Sequence, residues 1–226
     1  MVTAVPAEAD AVLAGIEATE PAAVGPYRGR WAKIGAGEVV VLAGGVGPAR
    51  AAACAGTALA VERPDLVLSA GVAGGFAGRA SVGDVVVAAA VAHADLGAES
   101  PTGFLPLAAL GLGEAVTRLP APLAAVVAAR TGGVVGTVLT VSTVTGTDSR
   151  AAELVGRHRP VAEAMEGAGV LAAALAHAVP FAEIRAVSNA VGRRDRTTWD
   201  LPRALDALGR AFFRLLAEPL PAEAFR

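Results

Sequence analysis

The stretch LVLSAGVAGG, residues 66–75, begins with an apolar run and ends in a glycine-rich turn. A short apolar run bounded by glycine is typical of a strand that is buried on both faces of a sheet. Four further runs share this character, at residues 39–42, 85–87, 138–141 and 181–187. The pattern therefore predicts a sheet with at least five buried strands.

Alanine-rich stretches with helical spacing separate these runs. The predicted helices are residues 7–18, 49–62, 122–129, 151–155, 165–178 and 201–216. In the first of them, Val12, Leu13 and Ile16 share one face, and Pro6 stands near the first turn, where its missing N–H costs nothing. Strands that alternate with helices indicate an α/β fold with a mostly parallel sheet.

The composition excludes several classes of protein. The 226 residues carry a formal net charge of −2 with no basic block, which argues against electrostatic binding to nucleic acid. The single Cys54 leaves no intrachain disulfide framework and no cysteine-rich zinc site. The first ten residues lack the basic region of a signal peptide, and no stretch resembles a membrane span. We expect one domain over residues 1–226, in a cytoplasmic protein.

The glycine turn is the first candidate for a binding site, because ligands of parallel sheets collect at the carboxyl ends of the strands. Gly71 and Gly74 let backbone amides approach a ligand closely, although a tight strand-exit turn explains the same glycines. Neither this turn nor residues 45–50 complete the GxGxxG pattern of a dinucleotide site.

Two acidic residues stand at the predicted starts of helices. Glu166 opens an apolar helix, whose dipole stabilises an ionised carboxylate, and a carboxylate accepts two hydrogen bonds from a vicinal diol such as ribose. Glu8 lies just inside the first helix. A first-turn acid without any ligand is the alternative for both, but the apolar surroundings of Glu166 favour a functional role.

The run Arg185-Ala186-Val187-Ser188-Asn189 ends an apolar strand in two polar residues. The amide of Asn189 offers a donor and an acceptor, which is enough to read the edge of a purine, and an Asx turn or a helix cap explains it equally well. The histidines are too scattered to indicate a metal site or a catalytic triad (His93, His158 and His177). We expect neither a metal nor another cofactor.

Together, these segments resemble the nucleoside phosphorylase and nucleosidase superfamily, from residue 3 to about residue 213. Residues 4–8 are similar to the turn that carries the general base in the bacterial methylthioadenosine/adenosylhomocysteine nucleosidases. Residues 69–75 and 82–86 resemble the glycine-rich turn and the strand that follows it. The resemblance implies a three-layer, phosphorylase-like domain in which helices flank a central twisted sheet.

The resemblance also implies a role for each matching residue. Glu8 would accept a proton from the attacking water, Arg185 would hold that water or orient a carboxylate, and Asn189 would stabilise the departing base. The pair Met165-Glu166 matches a family pair in which Met packs under the ribose and Glu holds its 2′- and 3′-hydroxyls. The implied substrate contacts are therefore Glu166, Met165, Val72, Ala73 and Gly74.

Asn189 separates two classes of substrate. Adenine-specific members of the family have an aspartate there, whereas an asparagine donates to O6 or N7 of a 6-oxopurine such as hypoxanthine, and a mismatch leaves buried groups unpaired. Residues 188–195 with Trp199, and residues 95–99 with Gly103-Phe104, resemble the futalosine-cleaving hydrolases of the superfamily. The implied reaction is hydrolysis of the N-glycosidic bond of futalosine to hypoxanthine and dehypoxanthine futalosine, in menaquinone biosynthesis.

The 5′ extension of futalosine ends in a benzoate, and the planar fork of an arginine binds a carboxylate well. Arg193 and Arg194 belong to the densest basic cluster, for which a solvated loop is the alternative, and Arg28 and Arg30 are rival candidates. Gly146 stands where the nucleosidases place a base-stacking aromatic, so that Phe104 or Trp199 would have to replace it.

Three other functions remain open at this point. A purine nucleoside phosphorylase would need Arg50 or Arg79 for phosphate, and Val72 offers phosphate no hydrogen bond where the nucleosidases often carry a serine. A methylthioadenosine-type nucleosidase is disfavoured by Asn189, and a non-catalytic nucleoside-binding protein by Glu8 and Glu166 together. The expected partners are a nucleoside substrate, water as the nucleophile and, as in the family, further copies of the chain; we expect no nucleic-acid or membrane partner.

Overall fold

The computed structural model describes residues 1–35 and 37–225. The prediction of one domain over residues 1–226 includes Ala36 and Arg226, which lie outside the described residues, and it stays a prediction. Among the described residues, no helix has both the length and the apolar character needed to cross a membrane.

The strands are β1 Val2–Thr3, β2 Glu20–Val24, β3 Tyr27–Ile34, β4 Gly37–Ala43, β5 Val67–Gly75, β6 Val85–His93, β7 Gly97–Ser100, β8 Gly103–Pro106, β9 Val116–Arg118, β10 Val134–Thr140, β11 Ala162–Ala164 and β12 Phe181–Ala190. The helices are α1 Pro6–Leu13, α2 Pro48–Val61, α3 Ala121–Thr131, α4 Asp148–His158, α5 Gly167–Ala176 and α6 Leu201–Leu216. Short 3₁₀ turns cover Leu107–Leu110, Arg196–Thr198 and Ala222–Phe225.

The main sheet has the strand order β11-β10-β6-β12-β5-β1-β4-β3-β2, and β9 pairs with β6. Strand β11 also pairs with β5, so that β5, β12, β6, β10 and β11 close into a ring. This closure places β5 between β12 on one side and β11 on the other, and the site described below depends on that arrangement.

The predicted α/β class is confirmed, but the sheet is mixed rather than mostly parallel. The runs β4-β1-β5-β12 and β6-β10-β11 are parallel, as predicted. The joins β12–β6 and β11–β5 are antiparallel, as are β2–β3 and β3–β4. Strands β2, β3 and β4 are consecutive in the chain with two residues between neighbours, and so short a connection allows only antiparallel pairing.

Helices cover both faces of the sheet and give the three layers. On one face α1, α3 and α6 bury apolar residues such as Leu13, Val127 and Phe212. On the other face α2 and α5 pack against each other, and a Cβ at Gly169 of α5 would collide with the backbone of Pro48. This close approach brings the start of α2 to the start of α5.

Candidate active site

The residues predicted from the sequence meet at the carboxyl ends of neighbouring parallel strands. Glu8 follows β1, and residues 71–74 lie in the C-terminal half of β5. Arg185 lies in the middle of β12, and Asn189 lies near its end. The loop from β4 to α2 adds Gly47 to the same edge. The structure therefore brings together segments that are far apart in the sequence, as expected for a ligand site of an α/β sheet.

Arg185 lies at the centre of the site and is fully buried. Its Nη1 donates to Glu166 Oε2 at 3.0 Å, its Nε to Glu183 Oε1 at 2.9 Å and its Nη2 to Ser69 Oγ at 2.9 Å. A guanidinium held at all three nitrogens has a fixed plane, so Arg185 fixes the position of the Glu166 carboxylate.

Glu8 is buried next to this arginine, and backbone amides hold both of its oxygens. Oε2 accepts from the N–H of Ala4 at 2.8 Å and of Val5 at 3.2 Å, and Oε1 accepts from the N–H of Val72 at 2.9 Å. Burial raises the pKa of Glu8 above its ordinary value, although these amides and the charge of Arg185 act in the opposite direction. A carboxylate in this state is fixed in place and is a stronger base than an exposed glutamate.

The absence of a side chain at Gly71 allows this arrangement. A Cβ built on Gly71 would lie 2.5 Å from Glu8 Oε1 and 2.9 Å from Arg185 Nη1. The two functional groups therefore flank the same point of β5. The sequence predicted a close backbone approach to a ligand at this glycine, and the structure shows a close approach to Glu8 and Arg185.

Glu166 was predicted within the first turn of a helix that starts at residue 165, but α5 begins at Gly167. Glu166 therefore stands at the N-cap position, and its side chain does not cap the helix. Its Oε1 instead accepts from the N–H of Gly47 at 3.2 Å, while Oε2 also accepts from the N–H of Met165 at 3.3 Å. The contact with Gly47 follows from the close packing of α5 against α2. Met165 is half-buried beside the carboxylate.

Glu183 is a member of this cluster that the sequence reasoning missed. It is fully buried two residues before Arg185, and its Oε2 has no hydrogen-bond partner among the described residues. Burial raises its pKa despite the pairing with Arg185. Its side chain is also why α5 starts with glycine, because a Cβ at Gly167 would collide with both carboxylate oxygens.

The cluster thus holds three carboxylates around one guanidinium. Burial alone lowers the pKa of Arg185, but the negative charges of Glu183, Glu166 and Glu8 outweigh it and raise this pKa. The available sequence signal was a glutamate and an arginine two residues apart, Glu183 and Arg185, which share one face of a strand. Both stand within an otherwise apolar run.

A second group of polar residues lines a small cavity beside the cluster, at the ends of β5 and β12. Asn189 is half-buried there; its Oδ1 accepts from Ser188 Oγ at 2.8 Å and its Nδ2 donates to the carbonyl of Ala190 at 3.0 Å. These bonds orient the amide and leave its second N–H for a ligand. The buried Ala73 continues this edge, and its carbonyl accepts from Ser188 Oγ at 3.3 Å.

The other residues around this cavity include three predicted ones. Gly74 separates Glu163 from Asn189, and Arg193 and Arg194 form the outer wall. Of the two aromatic candidates, Trp199 lines the cavity, with the guanidinium of Arg194 5.1 Å from its ring centre. Phe104 instead packs under Arg157 at 4.3 Å, and it is not among the residues that line this cavity.

Glu163 was also missed by the sequence reasoning. It is 5% exposed, and its two oxygens accept from the backbone N–H and the hydroxyl of Thr145 at 2.8 and 2.5 Å. Burial raises its pKa above the ordinary value, although the bonds from Thr145 act in the opposite direction.

A larger cavity of about 470 Å³ lies elsewhere, with Val12, Trp31 and Phe213 in its wall. The described residues that line it include none of those predicted for the site. We place the candidate site at the smaller cavity together with the buried cluster, because the cluster meets β5 at Gly71 and Asn189 meets it three residues further along, at Gly74. Perturbed pKa values cluster at functional sites. Arg79, one of the two arginines considered for phosphate, donates to the carbonyl of Arg159 at 2.9 Å.

The fold and this site define the nucleosidase and phosphorylase class of α/β enzymes. A family model described as the phosphorylase superfamily matches residues 1–219, and the chain belongs to this superfamily.

Two of the curated relatives are futalosine hydrolases. The chain is 55% identical to a futalosine hydrolase of Streptomyces coelicolor over 181 residues, which are 77% of each chain. It is 45% identical to a futalosine hydrolase of Acidothermus cellulolyticus over 224 residues, 95% of this chain and 88% of the relative.

Solved structures show the same fold. The native futalosine hydrolase of Helicobacter pylori superposes with a TM-score of 0.81 at 19% identity, over 96% of this chain and 94% of the other. A methylthioadenosine/adenosylhomocysteine nucleosidase of Colwellia psychrerythraea, in complex with adenine, superposes with a TM-score of 0.81 at 22% identity. The superposition covers 97% of this chain and 96% of the other.

Proposed function

We propose that the chain hydrolyses the N-glycosidic bond of futalosine and releases hypoxanthine and dehypoxanthine futalosine, a step of menaquinone biosynthesis. The observation that carries the proposal is the buried cluster of Glu8, Arg185 and Glu166 at Gly71 of β5, with Asn189 at Gly74 of the same strand. One part of this site suits a ribose and its attacking water, and the other suits a 6-oxopurine. The identity of 45–55% to relatives named futalosine hydrolase supports the choice of substrate.

The ribose is held by Glu166. Its carboxylate is fixed by Arg185 and Gly47, and its oxygens accept from the 2′- and 3′-hydroxyls, which replace the longer backbone contact of Met165 at 3.3 Å. Cleavage of the glycosidic bond passes through a sugar with oxocarbenium character. A carboxylate that stays in place as positive charge develops on the sugar stabilises this transition state more than the substrate.

Glu8 acts as the general base. The water oxygen forms the new bond to C1′, the electrons of the broken bond leave with the purine, and Glu8 accepts the water's proton. Its pKa, raised by burial, makes it a better proton acceptor than an ordinary glutamate. Arg185 contacts Glu166 and lies next to Glu8, so it holds both carboxylates in position.

Asn189 stabilises the leaving base. The N–H of its amide that is not bonded to Ala190 donates to O6 or N7 of hypoxanthine, where negative charge accumulates as the bond breaks. A single preorganised donor of this kind contributes about 3 kcal/mol to transition-state stabilisation. Ser188 keeps the amide in the orientation that presents a donor rather than an acceptor.

Arg193 and Arg194 bind the benzoate end of the substrate in this proposal. Both line the cavity that contains Asn189, and both side chains are exposed at its mouth. Arginine-to-alanine variants of each are therefore expected to lose activity on futalosine but not on inosine. Equal losses on both substrates would remove the arginines from this role.

The proposed function is tested by measuring hypoxanthine release from futalosine and from inosine, each with and without phosphate. We expect phosphate-independent release from futalosine and little from inosine. Glu166→Gln is expected to abolish release, while Glu62→Gln, an exposed residue at the end of α2, leaves it unchanged. Release from inosine that requires phosphate would identify a phosphorylase instead. The homo-oligomeric state and the cytoplasmic location remain predictions alongside this proposal.

A further inference from the structure

Glu163 is a buried carboxylate in the wall of the candidate base pocket to which the mechanism above gives no role. It lies in β11, the short strand that closes the ring by pairing with β5. Carboxylates are seldom buried unless they are paired, and this one makes no ion pair among the described residues. Its burial without an ionic partner therefore calls for another explanation, such as contact with a ligand.

The sheet register places Glu163 opposite Asn189. Gly74 of β5 is the register partner of Glu163 on one side and of Asn189 on the other. The register of β12 shifts between Val187 and Asn189, but the Asn189 amide nitrogen still lies 3.3 Å from the position of a Cβ on Gly74. Glu163 and Asn189 line the same cavity, and each strand spacing is about 4.8 Å. Glu163 and Asn189 thus stand about 10 Å apart at their backbones, with a residue between them that has no side chain. This gap suits the edge of a flat base held from both sides.

The hydrogen bonds of Glu163 determine which base edge it accepts. Both donors of Thr145, the N–H and the hydroxyl, point at the carboxylate rather than into the pocket. Each oxygen keeps a further lone pair, and an ionised carboxylate only accepts. The pocket therefore presents an acceptor beside Thr145. A 6-oxopurine carries a proton at N1 and matches it, whereas N1 of a 6-aminopurine is itself an acceptor.

The geometry points to Glu163 as a specificity-determining residue that accepts the N1–H of the 6-oxopurine while Asn189 donates to O6 or N7. This inference rests on the proposed function, because it names a second residue that reads the same base. Both contacts therefore disfavour adenine, the one from Glu163 at N1 and the one from Asn189 at the 6-position. An unmatched acceptor facing N1 leaves buried groups unpaired, which costs at least about tenfold in binding.

The test is the binding of hypoxanthine and of 1-methylhypoxanthine, measured by calorimetry, because a methyl group at N1 removes the proton in question. We expect the wild-type chain to prefer hypoxanthine at least tenfold. Glu163→Ala removes the acceptor and leaves room for the methyl group, so it is expected to reduce this preference below threefold. The isosteric Glu163→Gln keeps one acceptor oxygen and should retain more of the preference than Glu163→Ala. Asp95→Asn is the matched control: Asp95 also holds the loop that carries Thr145, through the N–H of Ser142 at 2.6 Å, and the variant should keep the wild-type preference.

A purely structural role for Glu163 predicts a different result. If Glu163 only holds the loop, its variants lose affinity for both bases equally and the preference stays at the wild-type value, which overturns the inference. A wild-type chain that binds both bases equally also overturns it. Hypoxanthine release from futalosine is measured in parallel: no release by a chain that still prefers hypoxanthine contradicts the proposed function and leaves the base contact intact.

Discussion

At the scale of single residues, Glu8 is a glutamate whose buried position and hydrogen bonds differ from those of an ordinary first-turn glutamate. Three backbone N–H groups hold its carboxylate, and Gly71 makes room for it beside Arg185. An exposed glutamate at the start of a helix has neither feature. The residue type was therefore predictable from the sequence, whereas its environment follows only from the chain segments that meet around it.

Glu8→Gln is expected to lower kcat on futalosine by about 10²- to 10⁴-fold, because an amide accepts no proton from the attacking water. Steady-state kinetics with futalosine measure the loss, and circular dichroism verifies the fold. Asp10→Asn is the matched control, since Asp10 lies two residues further along α1 and is exposed. Activity within threefold of wild type in Glu8→Gln would remove Glu8 from the mechanism.

The pH dependence of the reaction follows from the same residue. Glu8 works as a base only when ionised, and burial raises its pKa above the ordinary value of 4.5. As the pH falls through this raised pKa, Glu8 gains a proton and activity is lost. The acidic limb of kcat/KM, which reports groups of the free enzyme, is therefore expected above pH 4.5. A profile that stays flat down to pH 4.5, with the chain still folded, would contradict the assignment.

Asn189 is expected to control the choice of purine. In Asn189→Asp, the side chain no longer donates to O6 when ionised, so kcat/KM on futalosine should fall by about ten- to a hundredfold, equivalent to about 1–3 kcal/mol. Cleavage of methylthioadenosine relative to futalosine should rise. Asn189→Ala provides the comparison, because it removes the contact without creating a new preference. An unchanged ratio of the two substrates in Asn189→Asp would argue against base reading by this residue.

At the scale of elements, the starts of α2 and α5 position the ribose carboxylate. Gly169 lets α5 approach Pro48, and the N–H of Gly47 then reaches Glu166. On the opposite side, Gly167 leaves room for Glu183, which holds Arg185. Two glycines at one helix start therefore support both partners of the Glu166–Arg185 pair.

Gly167→Ala is expected to lower the free energy of unfolding by about 1–3 kcal/mol, because the new methyl group overpacks against the buried Glu183 carboxylate. Urea denaturation measures the change. The control is Gly156→Ala in the last turn of α4, where a Cβ meets no described atom within 4 Å apart from its own helix. That variant should gain about 0.5–1 kcal/mol, as alanine favours a helix interior. Equal effects in the two variants would contradict the packing argument.

The elements themselves were predictable to different degrees. The apolar strands and all six helices were recognisable from periodicity, and α6 has the predicted bounds. The hairpin strands β2 and β3 were missed, because Glu20 and Pro21 open β2 and the exposed arginines and lysine of β3 interrupt any apolar run. Strand β11 was missed as well, since three residues that include Glu163 carry no periodic signal. The antiparallel pairs β2–β3 and β3–β4 and the ring closure through β11 depend on these short or polar strands.

At the scale of the whole molecule, the closed ring of strands determines which residues form the site. Because β5 has β12 on one side and β11 on the other, Gly74 lies between Asn189 and Glu163. The sequence indicated Glu8, Glu166, Arg185 and Asn189 through their positions after strands and through the family resemblance. Glu163 and Glu183 were not identified, because a pairing between distant strands is not visible in the local pattern.

The most direct test of the central claim is the mass of the sugar product that the chain forms from futalosine in phosphate buffer. Hydrolysis predicts dehypoxanthine futalosine with a free hydroxyl at C1′, formed at the same rate when phosphate is left out. The Glu166→Gln variant should form none. A sugar 1-phosphate as the product, formed only when phosphate is present, would contradict the account and identify the chain as a phosphorylase.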